Sequence, residues 1–485
     1  MSKNMLSKNF VCGTTLAVLF NAFSLLLVIG QGTYGQEIPA KRVLVISLDG
    51  LDTRYINNPD KYQLQIPTLR RLMATGVTAR GMSSVYPSIT YPNHTSLVTG
   101  ALPSKHGIFG NSIFEAPTGI GTGLSHWFAR DIKAETLWDA AKRTGKKVGM
   151  VSWPVGGGVG DWNVPEIWQP GGAPQQTRAL IAKNARPEGV VETITAQYPD
   201  IYRNATADEG DDARTRFAEY IIAEKRPEVM FVHLYDLDHY QHDFGPFSPE
   251  AISILEKTDG YVARLLSAAE RAGTLGETTV FITSDHGFKP ITRQLHPGVL
   301  LQKAGLVGFR TEKDANSLDK NVVTDWKAAV YVTGASCAIY LRNPDDKETL
   351  RKLRDVFEPL ARQPGSGIFK VLDKKDLRKI GSNSSAALML DAADGFTFGA
   401  NYFGDFNVES RSRGMHGYLP TRPEYFASFI ASGTGVERRG TIEYLNMTDA
   451  GATIARSLGL KLRDASGKSV NLNGVRNNSF MNPVK

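Results

Sequence analysis

At 485 residues, with 41% hydrophobic and 22% charged residues, the chain has the composition of a globular protein with a large core, which excludes a disordered or fibrous class. Its formal charge of +7 arises from 56 Lys and Arg against 49 Asp and Glu, without basic clusters interleaved with aromatics, so no nucleic-acid groove is evident. Its two cysteines, Cys12 and Cys337, leave no intrachain disulfide once the first is removed with a leader.

The chain opens on Lys3 and Lys8, a long apolar run "VCGTTLAVLFNAFSLLLVIG" and small polar residues. This pattern predicts a signal peptide over 1–35 and export to the periplasm or beyond, without a stable membrane span after cleavage; an uncleaved anchor is the alternative. The bursts "KRVLVISLDG", "KKVGMVSWPVG", "PEVMFVHLYDLD", "TTVFITSDHGF" and "YFASFIASGTG" are rich in Val, Ile and Phe and read as buried strands. Helical patterns such as "AETLWDAAKRTG", "DARTRFAEYIIAEK" and "SILEKTDGYVARLLSAAERAG" lie between them. The expected fold is therefore α/β, a doubly wound, mostly parallel sheet flanked by helices, over residues 36–470, with ligands beyond the carboxyl ends of the strands. Segments near 154–200 and 305–400 break the alternation and read as insertions close to the site, and 471–485 as a peripheral tail.

In "YPSITYPNHTSLVTG", Pro92 suits a first helical turn and Gly100 a stop, which puts Thr90 at a helix N-terminus where an anion is favoured. A plain N-cap is the simpler role for such a threonine. Elsewhere, Asp49 ends the first strand, and Asp285 and His286 end another. Asp238 and His242 are spaced to share one helical face, and His416 sits in "RGMHGY". Three Asp and three His offer two sets of three oxygen and nitrogen ligands, a supply that suits two borderline metal ions with open positions.

Together, Asp49, "SITYPNHTSLVTGALPSKHGIFGNS", "GKKVGMVSWPVG", Asp238 with His242 and "FGP", "TSDHGF" and "MHGY" resemble the nucleotide pyrophosphatase/phosphodiesterase branch of the alkaline phosphatase superfamily. The resemblance covers most of residues 41–465, in family order. It implies one Zn²⁺ held by Asp49, Asp285 and His286, a second held by Asp238, His242 and His416, and Thr90 between them as the nucleophile that forms a phosphothreonine. Asn111 in "FGNS" matches the residue that hydrogen-bonds a phosphoryl oxygen. Tyr91, Leu237 and Gln241 stand where the family more often has Phe, Pro and Gly, and none of these changes removes a ligand. His94, by helical spacing, points away from the Thr90 hydroxyl and reads as a packing or supporting residue.

Related threonine-nucleophile phosphatases add a Lys-x-Arg pair after the strand that here reads "KKVGMVSW", whereas this chain continues "PVGGGVGDW" without a cation. A phosphodiester or nucleotide is therefore the expected small-molecule substrate, with Tyr91 and Trp162 or Trp168 as flat surfaces for a base. A phosphomonoesterase or phosphonate hydrolase on the same metal site, and a non-catalytic surface binding protein, are the alternatives.

Overall fold

Both faces of the first strand, β1 (Arg42–Leu48), are apolar, and all its residues after Arg42 are buried. Successive side chains of a strand point to opposite faces. Leu44, Ile46 and Leu48 accordingly enter one core layer with Phe217, Leu255 and Val262, while Val43 and Val45 enter the opposite layer with Leu97, Trp138 and Ile454. A strand that is apolar on both faces belongs at the centre of a sheet covered on each side by helices. The computed structural model, which describes residues 40–116, 123–168, 171–202, 210–313, 319–436 and 439–473, has β1 in that position. The signal-peptide reading falls outside the described residues. Among the described residues no helix is long and apolar enough to cross a membrane.

The main sheet contains β1, β2 (Val77–Ala79), β3 (Val148–Val151), β4 (Trp162–Val164), β5 (Val229–Leu234), β6 (Thr278–Thr283), β7 (Phe429–Gly433) and β8 (Gly440–Ile442) in the order β8-β2-β7-β6-β1-β5-β3-β4. All pairings are parallel except those of β7, which runs antiparallel to β6 and β2. Strand β1 is flanked by β5 and β6, with Leu48 opposite Leu234 and Ser47 opposite Thr283. The register brings three parallel carboxyl ends side by side, so the residues that follow them, Asp49, the start of helix α2 (Asp236–Phe244), and Asp285 with His286, emerge together. Helix α1 (Thr90–Thr99) starts at this same edge and is buried along its whole length, while helix α3 (Pro249–Arg271) covers the layer that contains Leu255 and Val262.

The two segments outside the alternation are placed differently. Within 154–200, Trp162–Val164 joins the main sheet as its edge strand, and the residues after it form a cavity wall. Within 305–400, Ala328–Thr333, Ser336–Leu341, Leu388–Ala392 and Ile368–Asp373 form a separate antiparallel sheet with its own apolar layer, which includes Leu353 and Phe357 of the helix Lys347–Arg362. The turn of that sheet supports the site from behind, because Ala335 N–H donates to the His416 carbonyl at 2.8 Å.

His106, fully buried at the end of the short helix Pro103–His106, carries a testable pH dependence. Its Nδ1 accepts from Ile108 N–H at 3.2 Å and its Nε2 lies 3.0 Å from Ser96 Oγ, an arrangement complete for the neutral ring. Burial lowers its pKa from 6.5 to about 3. The depressed value means that its contribution to stability is full above pH 6.5 and is lost as pH falls toward 3. Melting temperatures of a His106→Gln chain should decline less steeply than wild type across that window; equal slopes would contradict this.

Candidate active site

The six residues expected to bind metal come together in one cage, buried except for the half-buried His242. His286 Nε2 lies 3.0 Å from Asp285 Oδ2, 3.3 Å from Asp49 Oδ1 and 4.0 Å from Asp238 Oδ1. His242 Nε2 lies 3.4 Å from Asp238 Oδ2 and 3.2 Å from His416 Nε2, and His416 Nε2 is 3.5 Å from Asp238 Oδ1. Ligand atoms of Asp49, Asp285 and His286 lie within 4.8 Å of one another, as do those of Asp238, His286 and His416. His286 thus lies within reach of both groups, but its shorter distances tie it to Asp285 and Asp49. It stacks on His416 at 3.6 Å.

The atoms in this cage are those of a cation site. Asp49 Oδ1, Asp238 Oδ1, Asp285 Oδ2 and both ring nitrogens of His286 are buried without a hydrogen-bond partner, a costly state for an empty protein interior. His242 and His416 each direct Nδ1 at a backbone carbonyl, of Gly414 at 3.0 Å and Ser88 at 3.2 Å. With Nδ1–H donated in this way, the two Nε2 lone pairs face each other across 3.2 Å, which is repulsive unless a positive charge lies between them. Burial, and then the nearby Asp285 and Asp238, push Asp49 well above the usual carboxylate range. Burial opposes protonation of His286, but Asp285, Asp49 and Asp238 lift it to about 9. The neighbouring carboxylates contribute to both shifts. The donor set of carboxylates and imidazoles fits zinc-like ions.

Thr90 is the first residue of α1, and the position before it, Ile89, is the N-cap. The Ile89 side chain makes no capping hydrogen bond and Thr90 lies inside the helix, so Thr90 is not the plain N-cap considered from sequence. It lines a cavity of about 530 Å³ together with Asp49, Asp238, Tyr91 and Asn111. Asn111 Oδ1 accepts from Tyr91 N–H at 2.9 Å, which leaves its NH₂ group to donate to a bound molecule. His94 is fully buried, with Nδ1 2.9 Å from the Thr90 carbonyl and Nε2 2.8 Å from Ser47 Oγ. Burial, assisted by His233, holds it at about 4, so it supports the helix start as a neutral ring.

The aromatic residues divide. Trp168 lines the cavity, edge-on to Tyr91 at 6.5 Å. Tyr91 also lines it but is only 2% exposed, with its hydroxyl on Glu166 at 2.9 Å. Trp162 instead begins β4 and packs against the layer of β1's even residues, away from the cavity lining. The loop 154–160 is not at the cavity either: a Cβ at Gly157 would meet the Trp127 carbonyl at 2.6 Å, and one at Gly156 the Met150 side chain at 2.7 Å. Its lack of cations therefore says little about the substrate. Gln241 is explained by packing, since its Nε2 donates to the Gly50 carbonyl at 2.9 Å, and Leu237 is buried in the core.

Sequence reasoning missed Glu166, His233 and Arg214, all in the cavity lining. His233 lies inside β5, opposite Ser47, where "VMFVHLYD" signals only a buried strand. The informative sign was a basic residue within an otherwise apolar run, one position from the strand's end.

The strand ends of the main sheet, helix α2 and the segment after Gly414–Met415 together bring three carboxylates and three imidazoles beside a threonine that starts a buried helix, an arrangement suited to holding cations next to a hydroxyl. Comparison with known families specifies it further: residues 43–419 match type I phosphodiesterase / nucleotide pyrophosphatase, and the chain belongs to that family. It is 26% identical over 271 residues to human ectonucleotide pyrophosphatase/phosphodiesterase family member 1, spanning 53% of this chain and 24% of that protein. With venom phosphodiesterase 2 of Crotalus adamanteus it shares 24% over 256 residues, 52% of this chain and 27% of the relative. These two alignments thus cover only about a quarter of the relatives' length. Human family member 5 is 23% identical over 458 residues, 92% of this chain and 80% of that one. Among solved structures, an inactive threonine-to-alanine variant of murine family member 5 in complex with AMP superposes with a TM-score of 0.60 at 19% identity, covering 90% of this chain and 99% of that one. Human member 5 gives 0.60 at 20% identity with the same coverage. These two share the fold with this protein.

Proposed function

We propose that the protein is a zinc-dependent hydrolase of phosphodiester or nucleotide pyrophosphate linkages that acts through covalent attachment of the phosphoryl group to Thr90. One observation carries the reading: the Thr90 hydroxyl, at the start of a buried helix, shares a cavity with Asp49, Asp238 and the donor Asn111, beside a ligand cage whose buried atoms lack partners. Asp49, Asp285 and His286 would hold one ion, with Thr90 facing it, and Asp238, His242 and His416 the other. Two ions held there would favour the deprotonated hydroxyl and stabilise charge on the attacking and leaving oxygens.

The chain's own groups do the rest. Thr90 Oγ1 attacks phosphorus in line, and the bond to the departing alkoxide breaks. Asn111 donates its NH₂ group to a non-bridging oxygen, and the helix N-terminus favours the negative charge there. His94 contributes no base, since its ring nitrogens face the Thr90 carbonyl and Ser47. Water then cleaves the Thr90 ester, which releases a phosphomonoester and restores the hydroxyl.

A diester is favoured by the charges around the cavity. Among the described lining residues Arg214 is the one Lys or Arg, and it is ion-paired with Asp211 at 3.3 Å, while Glu166 adds a carboxylate to the wall. A monoester dianion would bring one more negative charge to this wall and find no cation dedicated to it. On purified protein, kcat/KM for bis(p-nitrophenyl) phosphate should exceed that for p-nitrophenyl phosphate; the reverse order would favour the monoesterase reading, and inactivity on both the non-catalytic one. Trp168→Ala should cost more for a nucleoside-bearing diester than for a dialkyl one, by about 1–3 kcal/mol, the worth of base stacking. Equal losses would remove Trp168 from substrate recognition. Export is part of the same proposal, supported by the N-terminal apolar run and the extracellular names of the relatives.

A further inference from the structure

Glu166 follows the edge strand β4, and its two carboxylate oxygens hold two different parts of the site. Oε1 accepts from the Tyr91 hydroxyl at 2.9 Å, and Oε2 lies 2.9 Å from His233 Nδ1. Across the ring, His233 Nε2 lies 3.0 Å from Asp49 Oδ2. The other Asp49 oxygen, Oδ1, has no hydrogen-bond partner and lies 3.3 Å from His286 Nε2, inside the ligand cage. A continuous carboxylate–imidazole–carboxylate chain therefore runs from the cavity wall to the cage.

Its geometry restricts Asp49. The His233 ring bridges two carboxylates, with Nδ1 on Glu166 Oε2 and Nε2 on Asp49 Oδ2. Contact at Oδ2 holds that oxygen toward His233 and leaves Oδ1 as the atom turned into the cage. The ring itself is fixed, since His233 is almost fully buried in β5 and its Nδ1 also lies 3.1 Å from the Ser152 carbonyl. On its other oxygen, Glu166 holds the ring of Tyr91, the residue next to Thr90, where it packs with Ile108 and Val155.

We propose that Glu166 is a positioning residue that couples the ligand cage to the substrate wall. Through His233 it orients Asp49 for single-oxygen coordination, and through Tyr91 it fixes the aromatic surface beside the nucleophile. The inference rests on the metal reading given above. Its test is calorimetric titration of Zn²⁺ into the metal-stripped full chain, together with kcat and KM on bis(p-nitrophenyl) phosphate. Glu166→Ala should weaken one of two zinc-binding steps by about tenfold or more, the usual effect of losing a residue that orients a ligand, and leave the other step unchanged. Glu166→Gln, whose amide can accept from one partner and donate to the other, should return that step close to the wild-type value. Tyr91→Phe, which cuts only the second arm, should leave both zinc steps intact and raise KM more than it lowers kcat. Unchanged zinc binding in Glu166→Ala, equal weakening of both steps, or a Glu166→Gln chain as weak as Glu166→Ala would each overturn the proposal. Fewer than two zinc steps in the wild type would instead overturn the metal reading, and this inference with it.

Discussion

Replacing Thr90 with alanine should lower kcat on a diester by several orders of magnitude while the metal content of the protein stays at the wild-type level. The effect is expected to be large because the hydroxyls that flank Thr90 in its own segment, and Ser47 of the neighbouring strand, are engaged elsewhere. Ser88 donates to the Tyr418 carbonyl, Thr95 to the Tyr91 carbonyl, Ser47 is engaged with His94, and Ser96 with His106. All four are buried, and moving any of them to the cavity would strand its present partner. Thr90→Ser should retain part of the activity: it keeps the hydroxyl but loses the branching that narrows its rotamers. Near wild-type turnover in Thr90→Ala would reduce Thr90 to a structural helix start.

The second large effect is expected on metal removal. Stripping the protein with a chelator should abolish activity, and zinc should restore it. The same treatment should lower the melting temperature, because the bare cage holds three carboxylates and facing imidazole lone pairs that a cation otherwise offsets. Zinc at a hundredfold excess over its dissociation constant would stabilise the fold by about 2.7 kcal/mol per site. Metal analysis of the active protein should find about two ions per chain. Full activity after exhaustive chelation would contradict the reading of the cage.

What the sequence made legible follows from how local each signal is. The central strands were readable because runs such as Val43–Leu48 are apolar on both faces, a pattern that leaves few alternatives. The six cage residues were readable because five sit at a strand end or helix start and His242 lies one helical turn after Asp238, each within a short, recognisable motif. Glu166 and His233 were not, because their meaning depends on a pairing across 67 positions that no local pattern encodes. The loop 154–160 was misread for a related reason. Its position matches the stretch that carries a Lys-x-Arg pair in related phosphatases, but here its glycines allow close approach to the Trp127 backbone. Trp162 and Trp168 are six residues apart, yet one faces the core and the other the cavity, since the edge strand ends between them.

The central claim, covalent transfer through Thr90, is tested most directly by the stereochemical course at phosphorus. A P-chiral phosphorothioate diester would be hydrolysed in isotopically labelled water and the configuration of the product determined. Two successive in-line displacements, the first by Thr90 and the second by water, predict net retention. Net inversion, the result of a single attack by water, would contradict the account.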